Sequence, residues 1–169
     1  MYTHTAETHG KKDLDLYKFR IRKIRLIWPR QVLDIINSYE VKTINDLGCN
    51  YFQMYKEIKI RKQNYNYFGY EIESKFLNIG LKFFPELKKK YKISNIENEK
   101  LRKCDCSVIS ATLEHMDRPF RALKNIILST KKIVVLRSYF GELNDKHLQT
   151  RGCKHPCNQN QFSFNKIKK

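Results

Sequence analysis

A chain of 169 residues is long enough for one domain with a real core, and 41% apolar with 12% aromatic content excludes an intrinsically disordered protein. No apolar run approaches the roughly 20 residues of a membrane span, and the opening MYTHTAETHGKKD lacks the apolar centre of a secretory signal; no membrane partner is expected and the cytoplasm is the default compartment. The 34 Lys and Arg against 17 Asp and Glu leave a net charge of +17, which admits an anionic partner such as RNA, but the lysines are spread along the chain and form no separate basic block, so nucleic acid is not favoured.

Residues 1–12 read as a disordered leader and 13–169 as a single domain. The segment DLYKFRIRKIRLIWPRQVLDIINSYE reads as helical and broken at Pro29, with Val32, Leu33 and Ile36 on one face; its basic half, Lys18 to Arg25, alternates charge and apolarity and fits helix or strand. KTINDL is a first strand and NYFQMYKEIKI a helix. YNYFGYEIE is a second strand, followed by the helix SKFLNIGLKFF with Phe76, Leu77, Gly80, Leu81 and Phe84 on its apolar face and Pro85 at its close. YKISNI is a short third strand. CDCSVIS is a fourth, apolar enough to be buried on both faces. The helix in DRPFRALKNIILST has Asp117 as candidate cap, Pro119 in its first turn and an apolar face of Phe120, Leu123, Ile126 and Ile127; KKIVVLRS is the fifth strand. Strands alternating with helices of about 10–15 residues predict an α/β fold: a doubly wound, mainly parallel sheet with helices on both faces.

Five cysteines, an odd number, with no secretory signal argue for reduced thiols. Cys153, His155 and Cys157 in GCKHPC, even with Cys104 and Cys106, match none of the strong zinc spacings, so no metal is expected.

The turn after the first strand, Asp46-Leu47-Gly48-Cys49-Asn50, restricts the ligand. In open α/β sheets ligands bind beyond the carboxyl ends of the strands, at the switch point. A dinucleotide site needs G-x-G-x-x-G so that backbone amides can meet a pyrophosphate; here one glycine of the three is present and an acid precedes it. An acid suits a ligand with positive charge and no phosphate, and S-adenosylmethionine, a sulfonium with an ammonium, a ribose and an adenine, is such a ligand. Gly48 allows close approach of the main chain, and Asn50 tolerates the left-handed conformation of a second glycine. Glu71 ends the second strand, 25 residues after Asp46, where a carboxylate can accept ribose hydroxyls.

In their order and spacing, INDLGCN, YFGYEIE, CDCSVISATLEHMDRP and KIVVLRS resemble the successive signature segments of class I, Rossmann-like, S-adenosylmethionine-dependent methyltransferases, from roughly Trp28 to Ser138. The resemblance implies that Asp46, Gly48 and Asn50 line the methionine part of the cofactor, that Glu71 holds the ribose, and that Ile72 packs on the adenine. It implies Asn95 and Ile96 at the adenine edge and Ser110, Ala111 and Thr112 beneath the cofactor. Glu114 and His115 face the substrate side or tie down the following helix. The domain then divides into an N-terminal basic helical region (13–42), a cofactor-binding core (43–138) and an incomplete C-terminal part (139–169). The sequence departs from the family at Asn50, which replaces a usual glycine, and at Cys106, where an acid is common. Its C-terminal strands are expected to be reduced or missing, since 31 residues follow Ser138.

The implied reaction is methyl transfer to a small-molecule acceptor. His115 is the candidate general base, its unperturbed pKa being about 6.5, with Glu114 beside it in the catalytic set. Tyr17, Trp28 and Tyr139 are candidate walls of an acceptor pocket, and Arg137 at the end of the fifth strand suits an anionic acceptor. Two alternatives stay open: an RNA methyltransferase, suggested by charge although Ser110-Ala111-Thr112-Leu113 stands where base-methylating enzymes carry an N/D-P-P-Y segment, and a non-catalytic protein of the same fold.

Overall fold

A computed structural model describes residues 11–142, 145–149 and 157–167, with no account of the side chains of 11–14, 145–149, 157 and 166. Helices α1 (Lys11–Lys23) and α2 (Ile27–Asn37) lead into β1 (Thr43–Leu47), α3 (Gln53–Ile60), β2 (Asn66–Glu71), α4 (Ser74–Leu81) and β3 (Tyr91–Ile93). The chain continues through β4 (Cys104–Ser110), a 3-10 turn (Leu113–His115), α5 (Pro119–Ser129) and β5 (Thr130–Arg137). Short strands β6 (Phe140–Gly141), β7 (Asp145–Gln149) and β8 (Cys157–Ser163) precede α6 (Phe164–Ile167). Of the leader, residues 1–10 lie outside the described part, and Lys11 and Lys12 open α1.

The sheet order is β3-β2-β1-β4-β5, and every pairing is parallel. The chain moves outward from β1 to β3, then returns to β4 on the other side of β1. The carboxyl ends of β1 and β4 therefore flank the switch point, where crossovers diverge and leave a crevice. Two apolar layers cover the sheet. Val32, Leu33 and Ile36 of α2 and Ile58 of α3 pack with Ile44, Cys106 and Val108 on one face. Ala122 and Ile126 of α5 pack with Leu47, Tyr70 and Ile109 on the other. Leu33, Ile36 and Ile109 are wholly buried, each worth about 1.5–3 kcal/mol relative to exposure.

The sequence places the N-terminal helical break at Pro29; it falls instead at Ile24–Leu26, with Leu26 extended. A proline ring collides with the carbonyl four residues earlier, so the interruption lies upstream and Pro29 occupies the first turn of α2, where no amide proton is needed. Lys18 to Lys23 are helical.

Two readings of α5 need correction. Ala122, Ile126 and Ser129 are buried, whereas Phe120 and Ile127 are exposed. Apolar residues run around this helix, and the stripe that meets the sheet is the one whose small Ala122 allows close approach. Asp117 is not the cap: Arg118 is, and its amide donates to Glu97 Oε1 at 3.1 Å, while Asp117 Oδ1 accepts from Asn158 Nδ2 at 2.7 Å.

Beyond Arg137, no described strand joins the outer edge of β5. Strands β6, β8 and β7 instead form a separate small sheet, β8 parallel to β6 and antiparallel to β7. Phe162 of β8 is buried in the layer around α5.

Candidate active site

A cavity of about 630 Å³ lies over the carboxyl ends of β1, β2 and β4. All ten residues assigned to the cofactor line it: Asp46, Gly48, Asn50, Glu71, Ile72, Asn95, Ile96, Ser110, Ala111 and Thr112.

The floor is made by backbone. Gly48 has φ +76°, and its amide and that of Cys49 both donate to the Tyr70 carbonyl at 2.8 and 2.9 Å, which binds the turn after β1 to the end of β2. A Cβ on Gly48 would stand 2.2 Å from Thr112 Oγ1, so glycine is required by the approach of the loop after β4 as well as by its dihedral. Asn50 is left-handed at φ 52°, as is Ala111 at φ 51°. For a residue with a Cβ that conformation costs about 1–3 kcal/mol, and here it recurs on both sides of the cavity.

Asp46 is 3% exposed, and its Oδ2 accepts from the Tyr67 hydroxyl at 2.6 Å. Burial drives its carboxyl pKa up to about 7, partly offset by the Tyr67 hydrogen bond and reinforced by Glu71. Glu71 is buried and accepts three backbone amides: Asn50 to Oε2 at 2.9 Å, and Ile72 and Glu73 to Oε1 at 2.9 and 3.2 Å. Burial raises its pKa despite those donors. Two acids held in a cleft at such desolvation cost gain from a cationic ligand. Asn50 Oδ1, buried and without a partner among the described residues, offers an acceptor to a ligand hydroxyl or ammonium. These groups fit the charge and hydrogen-bonding pattern of S-adenosylmethionine.

Next to Glu71, Ile72, 40% exposed, adds an apolar side chain to the cavity lining. Asn95 Oδ1 caps its own loop by accepting the Glu97 amide at 3.0 Å, and Asn125 Nδ2 holds that loop through the carbonyls of Ile96 and Glu97. Glu97, buried and lining the cavity, is absent from the sequence reading; its position two residues after Asn95 in SNIENE was the available signal. Tyr67 was missed too, and only its register, two residues before the Gly69 that pairs with Asp46, hints at its role.

The two residues assigned to catalysis part company. His115 lines the cavity, and its Nδ1 lies 2.9 Å from the Asn158 carbonyl of β8. A carbonyl can only accept, so Nδ1 carries a proton, and in the neutral form of the ring the basic lone pair is on Nε2. Glu114 does not line the cavity; it is buried and accepts from Ser138 Oγ at 2.7 Å, which ties the turn after β4 to the end of β5. Tyr17 and Trp28 form part of the wall, while Tyr139 does not and is 56% exposed. Arg20 and Arg137 also line the cavity.

Cys106, in β4, is fully buried in the layer under α2 and α3, its thiol pushed up to about 12 by burial. Cys153 and His155 lie outside the described residues, as does the side chain of Cys157.

No family model and no curated protein matches this chain. Solved structures do. DesVI of Streptomyces venezuelae aligns with a TM-score of 0.60 at 15% identity, over 85% of this chain and 66% of its own. CalS10, a SAM-bound amino pentose methyltransferase from Micromonospora echinaspora involved in calicheamicin biosynthesis, aligns with a TM-score of 0.61 at 12% identity, over 83% of this chain and 64% of its own. A putative methyltransferase in complex with the Haloferax volcanii Trm112 activator gives a TM-score of 0.60 at 12% identity, over 79% of this chain and 62% of its own. The chain thus spans about two thirds of the length of these neighbours. Topology and likeness agree on architecture: this is the Rossmann-like fold of class I methyltransferases.

Proposed function

We propose that the protein binds S-adenosylmethionine in the cavity over β1 and β2 and transfers its methyl group to a small-molecule acceptor. The observation that carries this reading is the pair of buried carboxylates, Asp46 and Glu71, at consecutive strand ends around a Gly48 turn too tight for any Cβ. CalS10 has S-adenosylmethionine bound, and the plantazolicin methyltransferase BamL is in complex with S-adenosylhomocysteine and a triazolic desmethylPZN analog; both share this fold with the chain.

The cofactor, when bound, supplies a sulfonium-activated methyl group. The chain's residues then have three tasks. Asp46 and Asn50 Oδ1 hold the amino end; Glu71 Oε2, already bonded to the Asn50 amide, keeps lone pairs for ribose hydroxyls, and Ile72 covers the base. The Ser110–Thr112 loop closes beneath the reacting end. His115 Nε2, whose opposite nitrogen is committed to Asn158, takes a proton from an acceptor hydroxyl or ammonium. Glu114 positions this segment through Ser138 and does not touch the acceptor. Most of the acceleration in such a displacement comes from holding donor and acceptor in line.

Titration calorimetry with S-adenosylmethionine on wild type and Asp46→Asn tests the assignment. Loss of a buried charge-assisted contact weakens binding by about 10- to 100-fold. Equal affinity of the two proteins would remove the basis of the site.

A further inference from the structure

Beside its acids, Asp46, Glu71 and Glu97, the cavity carries two guanidinium groups. Arg20 of α1 and Arg137 at the end of β5 both line it, and neither forms an ion pair among the described residues. S-adenosylmethionine has a single carboxylate, which can engage one guanidinium. The other is left for a different anion within the same cavity.

Position separates the two. Arg20 stacks over Tyr17 at 5.5 Å, and Tyr17 packs on Tyr51 at a ring separation of 5.0 Å, so Arg20 sits by the turn after β1. Arg137 is on the far side of the switch point. Its carbonyl accepts the Ala111 amide at 2.9 Å, and its Nη1 donates to Ser110 Oγ at 2.9 Å. Those two bonds fix the backbone and aim the side chain, while the rest of the guanidinium fork has no protein acceptor among the described residues. The next residue, Ser138, is anchored to Glu114, immediately before His115. An aimed guanidinium without an ion-pair partner among the described residues, in the same cavity as a candidate base, matches a carboxylate or phosphate on the molecule to be methylated.

We propose that Arg137 is the seat of an anionic group, carboxylate or phosphate, on the methyl acceptor. This deepens the methyltransferase reading and rests on it. Trp28, the chain's single tryptophan, lines the same cavity and reports on its occupancy. With S-adenosylhomocysteine saturating and ionic strength fixed, inorganic phosphate and acetate are titrated separately and Trp28 emission is followed. Wild type is expected to respond saturably to at least one of them, and the tighter of the two names the class. Arg137→Gln weakens that response by about tenfold or more, Arg137→Lys restores part of it, and Lys88→Gln on the exposed surface changes nothing.

The idea is overturned by a wild type without saturable response, or by Arg137→Gln responding as wild type does. It is also overturned if Arg137→Gln weakens S-adenosylhomocysteine itself about tenfold, which would give the guanidinium to the cofactor. A wild type that fails to bind S-adenosylhomocysteine overturns the cofactor reading instead; the same titration without it then decides whether Arg137 holds an anion.

Discussion

The decisive residue is Asp46, a carboxyl whose pKa is raised by burial. Its folded pKa, about 7, lies above the ordinary value of 3.8. A raised pKa means that the fold favours the protonated form. Asp46 therefore contributes stability that is complete below about pH 4 and lost as pH rises through 7. Ligand-free protein should show a melting temperature that falls across this window, and Asp46→Asn should flatten that component. Cation binding runs the other way, because the charged carboxylate is the partner. Affinity for S-adenosylmethionine should rise between pH 6 and 8, by up to about tenfold per pH unit while Asp46 is protonated, and the Asn variant should lose the trend. Calorimetry across that range measures it. Gly48 makes a second residue-scale test. Gly48→Ala combines φ +76° with an overlap on Thr112 and should destabilise the protein by about 1–3 kcal/mol or displace the loop after β4, read by denaturant unfolding.

At the scale of elements, two ties complete the site. Glu57 of α3, 2% exposed, accepts from Arg25 Nε and Arg61 Nε, each at 2.9 Å, and so fastens the segment between α1 and α2 over the cavity. The hydrogen bond from Arg25, chiefly, holds its carboxyl below the ordinary range, so this tie is present at neutral pH and is lost as pH falls through the lowered pKa. At the other end, β8 clasps the His115 turn: Asn158 contacts His115 and Asp117, and Asn160 Nδ2 donates to the Met116 carbonyl at 2.8 Å. A chain ended after Glu142 should keep amide protection in β1 and β4 but lose it at His115 and Met116, as hydrogen exchange would record. Unchanged protection there would deny β8 this role.

For the molecule as a whole, the parallel sheet was legible because strand patterns alternate along the chain with helical ones, whereas the order of the strands is set by pairing that the structure shows. The cavity lining around Asp46, Gly48 and Glu71 was legible because these residues sit at or just after strand ends, positions that sequence defines. Residues that support the site or reach it from elsewhere were not. Tyr67 acts through cross-strand register, Glu97 through a loop capped by Asn95, and Arg20 through a helix whose charge pattern also fitted a strand. The exposed Phe120 and Ile127 failed for a related reason, since apolar residues all round a helix do not say which face meets the sheet. Such positions are set by packing between distant segments.

The structure of the chain crystallised with S-adenosylhomocysteine bears most directly on the central claim. Its amino group is expected against Asp46 and Asn50, its ribose at Glu71 and its adenine on Ile72. A ligand elsewhere, or one whose ribose and amino group avoid both carboxylates, would contradict it.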